Sequence, residues 1–289
     1  MARLFYLSSA LLSLAAAQKC PIQFDGRVPA AATPESFDAN SSPYNPGYVL
    51  GQNLKWSSVL QFPSVNSSLF DASGTKAVEV TIDDKSIFAP SADNVQKGFR
   101  RAELLPTSVT GTDPSTTGQK TMHFSVMKDA SRPLNSSHEY QLFFLESNDY
   151  STNQVTLKYG TILGGAKPSD ADTLTVTGNV NSSPVQNIFS IKFTPGVWHN
   201  FGLALNFNSR TTQVYYSTGN NPLASVSKAV SNNLSGQGQY HFGLLKKPIG
   251  GGSDITRNGY QPSNINEGVI FGGIFEEDSS QNACTSLKP

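Results

Sequence analysis

The sequence has no excess of charge of either sign. Its 21 lysines and arginines balance 21 aspartates and glutamates, so the chain lacks the basic character with which proteins bind nucleic acids. Charged residues make up only 15% of the chain, below the ~25% of an average globular protein. This composition argues against a nucleic-acid partner, and against a strongly anionic polymer as substrate unless the basic side chains cluster.

Long apolar segments are scarce as well. The one that stands out runs from Leu4 to Leu14, after Arg3 and before the alanines that end at Ala17. This order is typical of a signal peptide, here residues 1–17 with cleavage after Ala17, and the run is too short to span a membrane. We therefore expect a secreted, extracellular protein with no membrane partner.

Cysteine is almost absent, with two residues in the chain of 289. Cys20 and Cys284 lie near the two ends of the mature chain, and in an oxidising compartment we expect them to form one disulfide. Without a cluster of cysteines and histidines, a zinc site is disfavoured. We predict no metal and no other cofactor, and we expect the mature chain to act as a monomer.

Helical periodicity is missing beyond the signal peptide. Short strand-like runs recur instead, separated by turns rich in glycine, asparagine and serine. This pattern is typical of an all-β fold, and we predict one domain over residues 18–289, a β-jelly roll or two-sheet sandwich with a concave substrate groove. The predicted strands are an edge strand from Cys20 to Phe24, then Trp56 to Phe62, Ala77 to Ile82, Gly98 to Pro106, Lys120 to Met127, Glu139 to Glu146, Gln154 to Tyr159, Thr173 to Thr177, Ile188 to Phe193, Trp198 to Phe207, Thr212 to Ser217, Gln239 to Lys247 and Gly268 to Glu276.

Five Asn-x-Ser sequences are present between these runs. In a secreted protein such sequences accept N-linked glycans, so they predict exposed loops. The five asparagines are Asn40, Asn66, Asn135, Asn181 and Asn233.

The predicted strand at 98–106 carries opposite charges on one face. Apolar and charged side chains alternate along it, which places Ala102 and Leu104 toward a core and Arg101 and Glu103 on the open face. An arginine beside a carboxylate is either an ordinary surface ion pair or part of a site that acts on a polymer. Two later strands of similar construction favour the second interpretation.

Simple alternation along the strand 139–146 predicts a second polar face. Glu146 has the parity of the core face but lies at the strand's end, where we predict a rim or capping carboxylate. The predicted core face consists of Tyr140, Leu142 and Phe144, and the open face of Glu139, Gln141 and Phe143.

A third strand, 239–247, shows the same construction. Alternation places His241 and Lys247 on the open face. Gly243 shares that face and leaves room for a ligand to approach the sheet. The predicted core face consists of Tyr240, Phe242 and Leu244.

If the three strands are neighbours, their polar side chains converge in a groove suited to an extended polysaccharide. Glycosidic cleavage needs a proton donor for the leaving oxygen and usually a carboxylate as base or nucleophile. Glu103 and Glu139 are the candidate catalytic pair, and His241 can share the proton transfer. The candidate substrate-binding residues are Arg101, Gln141 and Lys247.

Other conspicuous side chains have structural interpretations. Phe143, Trp56 and Tyr260 can stack on sugar rings, although large aromatic side chains more often pack in the core. His199 shares the parity of Phe201 on its strand, so we interpret it as a buried, hydrogen-bonded histidine.

Five segments together carry a resemblance to a known family. They are KCPIQFDGR at 19–27, FRRAEL at 99–104, HEYQL at 138–142, YHFGLLKKP at 240–248 and EGVIFGGIF at 267–275. The combined pattern resembles fungal glycoside hydrolase family 131. The resemblance implies a β-jelly roll, a fungal source and a broad-specificity β-glucanase that cleaves β-1,3/1,6- and β-1,4-linked glucans with inversion. It also implies a catalytic centre that contains Glu103, Glu139 and His241.

Two other functions stay open at this point. The strands more weakly resemble jelly-roll polysaccharide lyases, which act on uronate polymers and use Arg-x-Glu-Leu, Gln-x-His and Tyr-x-Lys strands. Arg101 to Leu104 fits the first pattern, but Phe143 replaces the histidine of the second and Phe242 the lysine of the third. The other alternative is a non-catalytic glucan-binding lectin, because one fold can serve catalysis or binding alone.

Overall fold

Nearly all the regular secondary structure in the described part of the chain consists of antiparallel strands. The computed structural model describes residues 20–47, 51, 53–107, 114–163, 170–250, 252–281 and 283–289, so the predicted signal peptide lies outside the described residues. The strands are β1 Ile22–Asp25, β2 Val28–Pro29, β3 Leu60–Gln61, β4 Thr75–Lys76, β5 Val78–Asp83, β6 Arg100–Leu104, β7 Gln119–Lys128, β8 Glu139–Glu146, β9 Asn153–Gly160, β10 Thr173–Thr177, β11 Asn187–Lys192, β12 His199–Asn206, β13 Thr211–Thr218, β14 Ala224–Ser225, β15 Val230–Ser231, β16 Gln239–Lys246 and β17 Asn266–Asp278. The helices are α1 Trp56–Val59, α2 Ile255–Asn258 and two short 3-10 helices, Pro34–Asp38 and Pro114–Thr116.

The strands form two main sheets, which confirms the predicted all-β sandwich class. The larger sheet has nine strands with a central order β14-β13-β12-β7-β17-β5-β3, while β1 pairs with β17 and β15 with β13. The smaller sheet has six strands in the order β11-β10-β9-β8-β16-β6. None of the helices in the described part of the chain is long and apolar enough to cross a membrane.

Aromatic side chains fill the space between the two sheets. Phe124 of β7 stacks on Phe143 of β8 across the gap, with ring centroids 4.7 Å apart, and on Phe201 of β12, 5.4 Å away in its own sheet. All three rings are fully buried, and each stabilises the fold by roughly 1.5–3 kcal/mol. Because this core occupies the inner faces, the outer face of the smaller sheet is left to polar side chains.

The predicted strand from Trp56 to Phe62 is wrong in its first half. Trp56–Val59 is one turn of helix, and only Leu60–Gln61 is extended. The consecutive serines at 57 and 58 break the alternation, and the Ser58 hydroxyl donates to the Lys55 carbonyl at 2.7 Å, a local bond that favours a turn over a strand.

His199 is a buried, hydrogen-bonded histidine, as the sequence predicts. The backbone N–H of Thr194 donates to its Nε2 at 3.1 Å, and the Tyr216 hydroxyl lies 2.8 Å from its Nδ1. Burial lowers the pKa of His199 to about 4, so the ring is neutral at physiological pH.

Cys20 and Cys284 form the predicted disulfide. The bridge joins residues 264 positions apart in the sequence, and both cysteines are buried. It therefore ties the segment before β1 to the segment after β17, two strands that already pair in the larger sheet.

Replacing both cysteines with serine should lower the free energy of unfolding by about 2–4 kcal/mol, because the bridge restricts the unfolded chain. Urea unfolding in non-reducing buffer measures this change. Added reductant should bring the wild-type midpoint down to that of the variant and leave the variant unchanged. Equal midpoints for the two proteins in non-reducing buffer would show that the bridge contributes nothing.

Candidate active site

The three predicted polar strands are neighbours in the smaller sheet. β16 lies between β6 and β8, with Gly243 paired to Glu103 on one side and Phe242 to Phe143 on the other. The predicted adjacency is therefore confirmed, and the outward-facing side chains of the three strands share one surface of the sheet.

Arg101 and Glu103 form a buried ion pair on β6 rather than an exposed one. The Arg101 Nε donates to Oε1 of Glu103 at 2.9 Å and a terminal nitrogen donates to Oε2 at 2.6 Å. Phe88 lies over the guanidinium, with its ring centroid 5.1 Å from the central carbon. Burial opposes ionisation of Glu103, but the charge of Arg101 and the hydrogen bonds from His241 and Arg101 outweigh it, so the pKa of this carboxyl lies below its usual range.

His241 stands between two carboxylates. Its Nδ1 lies 3.4 Å from Oε2 of Glu103, and its Nε2 lies 3.4 Å from Oε2 of Glu146. The imidazole stacks on the Phe144 ring with centroids 4.1 Å apart, which fixes the plane of the imidazole. Glu103 is fully buried, whereas the Glu146 side chain is 22% exposed, so Glu146 is the carboxylate of this cluster that meets solvent.

A β-bulge explains why Glu146 belongs to the outer face. The register of β8 against β9 shifts between Gln141 and Phe143, so two consecutive residues, Leu142 and Phe143, both enter the core. The alternation inverts from that point. The predictions that Phe143 faces outward, that Phe144 faces the core, and that Glu146 has the parity of the core face are therefore wrong.

Glu139 lies in a different cluster from the one around His241. Its Oε1 is 2.8 Å from Nζ of Lys247 and 3.5 Å from Nζ of Lys158, and its Oε2 accepts from the Leu163 backbone N–H at 2.8 Å. Burial opposes ionisation, but Lys247 and Lys158 together outweigh it, so the pKa of Glu139 is lowered. The carboxylate is neutralised by lysines and its side chain is 1% exposed.

The register of β16 separates Glu139 from Glu103. Glu103 is paired with Gly243, whereas the backbone of Glu139 accepts from the N–H of Lys247. Four residues of an extended strand span roughly 13 Å, so the backbones of the two glutamates lie at different levels of the sheet. The structure thus brings Arg101, Glu103 and His241 together, and it places Glu139 and Lys247 in a second group.

Gln141 and Gly243 have structural partners on the same surface. The Gln141 Oε1 accepts from Nδ2 of Asn153 at 2.8 Å, which joins β8 to the start of β9. A side chain at Gly243 would meet the Ala102 carbonyl oxygen at 2.1 Å. The glycine is therefore required by the close approach of β6, rather than by a ligand as predicted from the sequence.

A cleft of about 350 Å³ opens above the His241 cluster. The residues that line it include Arg101, Glu146 and His241 and the aromatic residues Phe88 and Tyr150. Of the three aromatic residues considered for stacking on sugars, Trp56 and Phe143 are fully buried in the core, as aromatic side chains more often are, and Tyr260 is exposed but does not line this cleft. Tyr150 is the aromatic residue that the sequence analysis missed; its place in a polar turn gives no sequence signal.

A second histidine–glutamate pair lies on the outer face of the larger sheet. Nε2 of His123 lies 2.9 Å from Oε2 of Glu277, and Glu277 also accepts from the Ser286 N–H at 3.0 Å. The His123 imidazole is stacked on Phe275 and is 0% exposed. This pair combines one histidine with one carboxylate, so it has fewer groups for proton transfer than the cluster of Glu103, His241 and Glu146.

Comparison with known proteins points to one family. The model of the glycoside hydrolase 131 catalytic N-terminal domain matches residues 22–282. No curated protein matches the chain in sequence.

Two solved structures share the fold over nearly their whole length. The catalytic domain of a glycoside hydrolase family 131 β-glucanase from Podospora anserina superimposes with a TM-score of 0.70 at 22% identity, covering 92% of this chain and 98% of that one. The catalytic domain of a family 131 protein from Coprinopsis cinerea gives a TM-score of 0.69 at 21% identity, covering 93% and 98%.

Proposed function

The chain belongs to glycoside hydrolase family 131, and on that premise we propose that it hydrolyses β-glucans by acid–base chemistry at Glu103, His241 and Glu146. The observation that carries the proposal is the imidazole held between two carboxylates beneath an open cleft. Hydrolysis of a glycosidic bond needs one group that gives a proton and one that takes a proton. This cluster supplies both.

The two members of the cluster that line the cleft are the groups that act on substrate. Glu146 and His241 both line the cleft and lie 3.4 Å apart, so a proton can pass between them and be exchanged with the substrate at Glu146. Glu103 is buried behind His241 and kept charged by Arg101. Its role is to position the imidazole and to stabilise positive charge on it during proton transfer.

The proposed substrates are β-1,3/1,6- and β-1,4-linked glucans, cleaved with inversion. This part of the proposal is supported by the family resemblance of the sequence.

We also propose that the protein is secreted from a fungal cell and glycosylated. The disulfide supports an oxidising compartment. The five asparagines of the Asn-x-Ser sequences are all exposed, as glycan attachment requires. The predicted signal peptide, which lies outside the described residues, supports the same route.

Incubation of the mature protein with laminarin, a soluble cellulose derivative and a polyglucuronate tests the proposal. Hydrolysis should give new reducing ends from the two glucans without a rise in ultraviolet absorbance. An absorbing, unsaturated product from the polyglucuronate would identify a lyase instead. Binding to glucans without any new ends would identify a lectin, and either result would overturn the proposed function.

A further inference from the structure

Tyr150 occupies an unusual position beside the cleft. It lies in the turn between β8 and β9, with its side chain 58% exposed, and it forms part of the cleft wall near Glu146 and His241. Its backbone φ is +59°. This left-handed conformation is costly for a bulky side chain and is readily adopted by glycine or asparagine.

The turn around Tyr150 is held firmly by short hydrogen bonds. The Asp149 Oδ1 accepts from the Ser147 hydroxyl at 2.6 Å and from the Ser151 hydroxyl at 2.7 Å. The Tyr150 N–H donates to the Ser147 carbonyl at 2.8 Å. These bonds fix the backbone of Tyr150 in its place beside the cleft.

Strained backbone conformations of bulky residues cluster at functional sites, and Tyr150 is such a residue at the edge of the cleft. Phe88 also lines the cleft, and its ring lies against the Arg101 guanidinium. The ring of Tyr150 is the more exposed aromatic surface of the cleft, and it sits next to the residues proposed to transfer protons.

We propose that Tyr150 is the stacking platform for the glucosyl ring that binds beside the cleaved bond. The apolar face of a pyranose covers an aromatic ring well, and such a ring offers a large contact area with little conformational freedom to lose. The cleft volume of about 350 Å³ is at the small end of ligand sites, which suits one or two sugar units. This inference rests on the proposed function and names the residue that binds its substrate.

The variant Tyr150→Asn tests the platform, because asparagine fits the left-handed backbone but has no ring. We expect KM for laminarin to rise at least about tenfold and kcat to change less. Tyr150→Phe should keep the wild-type KM. Tyr260→Asn, a change at the other highly exposed tyrosine, should leave KM unchanged.

A titration separates the failure of this inference from the failure of the proposed function. Laminari- and cello-oligosaccharides are titrated calorimetrically into Glu146→Gln and into Glu146→Gln/Tyr150→Asn. Affinity that falls at least about tenfold in the double variant supports the platform even if no glucan is hydrolysed. Equal affinity in the two proteins, or a Tyr150→Phe variant as impaired as Tyr150→Asn, would overturn it.

Discussion

Replacing Glu146 with glutamine should lower kcat on β-glucan by a factor of about 10²–10⁴, the usual contribution of one proton-transfer group. The amide keeps the size of the carboxyl but can neither take nor give a proton at the cleft. KM should change little, because the side chain still fills the same place beside His241. Steady-state kinetics on laminarin measure both values.

Glu277→Gln is the matched control for this substitution. Glu277 also contacts a histidine through Oε2, but on the outer face of the other sheet. Its replacement should leave kcat within about threefold of the wild type. If Glu146→Gln keeps the wild-type rate while its melting temperature is unchanged, Glu146 is not a catalytic residue.

Replacing Glu103 with glutamine should also lower kcat by about 10²-fold or more, although Glu103 does not line the cleft. The loss follows because His241 would no longer face an anion at Nδ1, and because Arg101 would keep a buried charge without its partner. KM should stay near its wild-type value, since the residue lies behind the imidazole.

The same variant should lose stability in a pH-dependent way. The pKa of Glu103 is lower in the folded protein than its ordinary value. Its ionised form therefore stabilises the fold in full above the unfolded value of ~4.3, and this contribution is lost as the pH falls through the folded value. Wild type should be more stable than Glu103→Gln near neutral pH, and the difference should shrink in acid.

Glu267→Gln separates a positioning role of Glu103 from a purely structural one. Glu267 pairs with the fully buried Lys246 at 2.6 Å and accepts from the Tyr140 hydroxyl at 2.7 Å, so its replacement should also cost stability. Its kcat should stay near the wild-type value. A Glu103→Gln enzyme with normal kcat and only reduced stability would reduce Glu103 to a structural ion pair.

Much of the fold follows from local sequence patterns. Alternation of apolar and polar residues places nearly all the long strands, and it assigns His199 and the inner face of β16 correctly. Two cysteines at the ends of a mature chain suffice to predict the disulfide. These features depend on neighbours along the chain, which the sequence displays directly.

The error at β8 shows where alternation stops being informative. Leu142 to Leu145 are four apolar residues in a row. The sequence therefore does not show which of them face the core and which face outward. Counting from Glu139 gives a face that excludes Glu146, whereas counting backward from Glu146 includes it. The bulge that decides between them arises from pairing with β9 and β16, and those contacts are distant in sequence.

The surroundings of Glu139 could not be predicted for a related reason. The sequence indicates that Glu103 and Glu139 share a face, but not how far apart the register holds them or which cations lie nearby. Lys158, which binds Glu139 together with Lys247, lies on β9 and is not among the residues predicted for the site. The role of Glu139 in catalysis is thus a prediction that the contacts of its carboxylate do not favour.

The most direct test of the proposed centre compares kcat/KM of Glu139→Gln and Glu146→Gln on the same glucan. We expect Glu139→Gln to keep activity within about tenfold of the wild type, with a lower melting temperature because two lysines lose their partner. Glu146→Gln should lose at least about a hundredfold. The reverse order, with Glu139→Gln inactive and Glu146→Gln active, would contradict the assignment of proton transfer to Glu146 and His241.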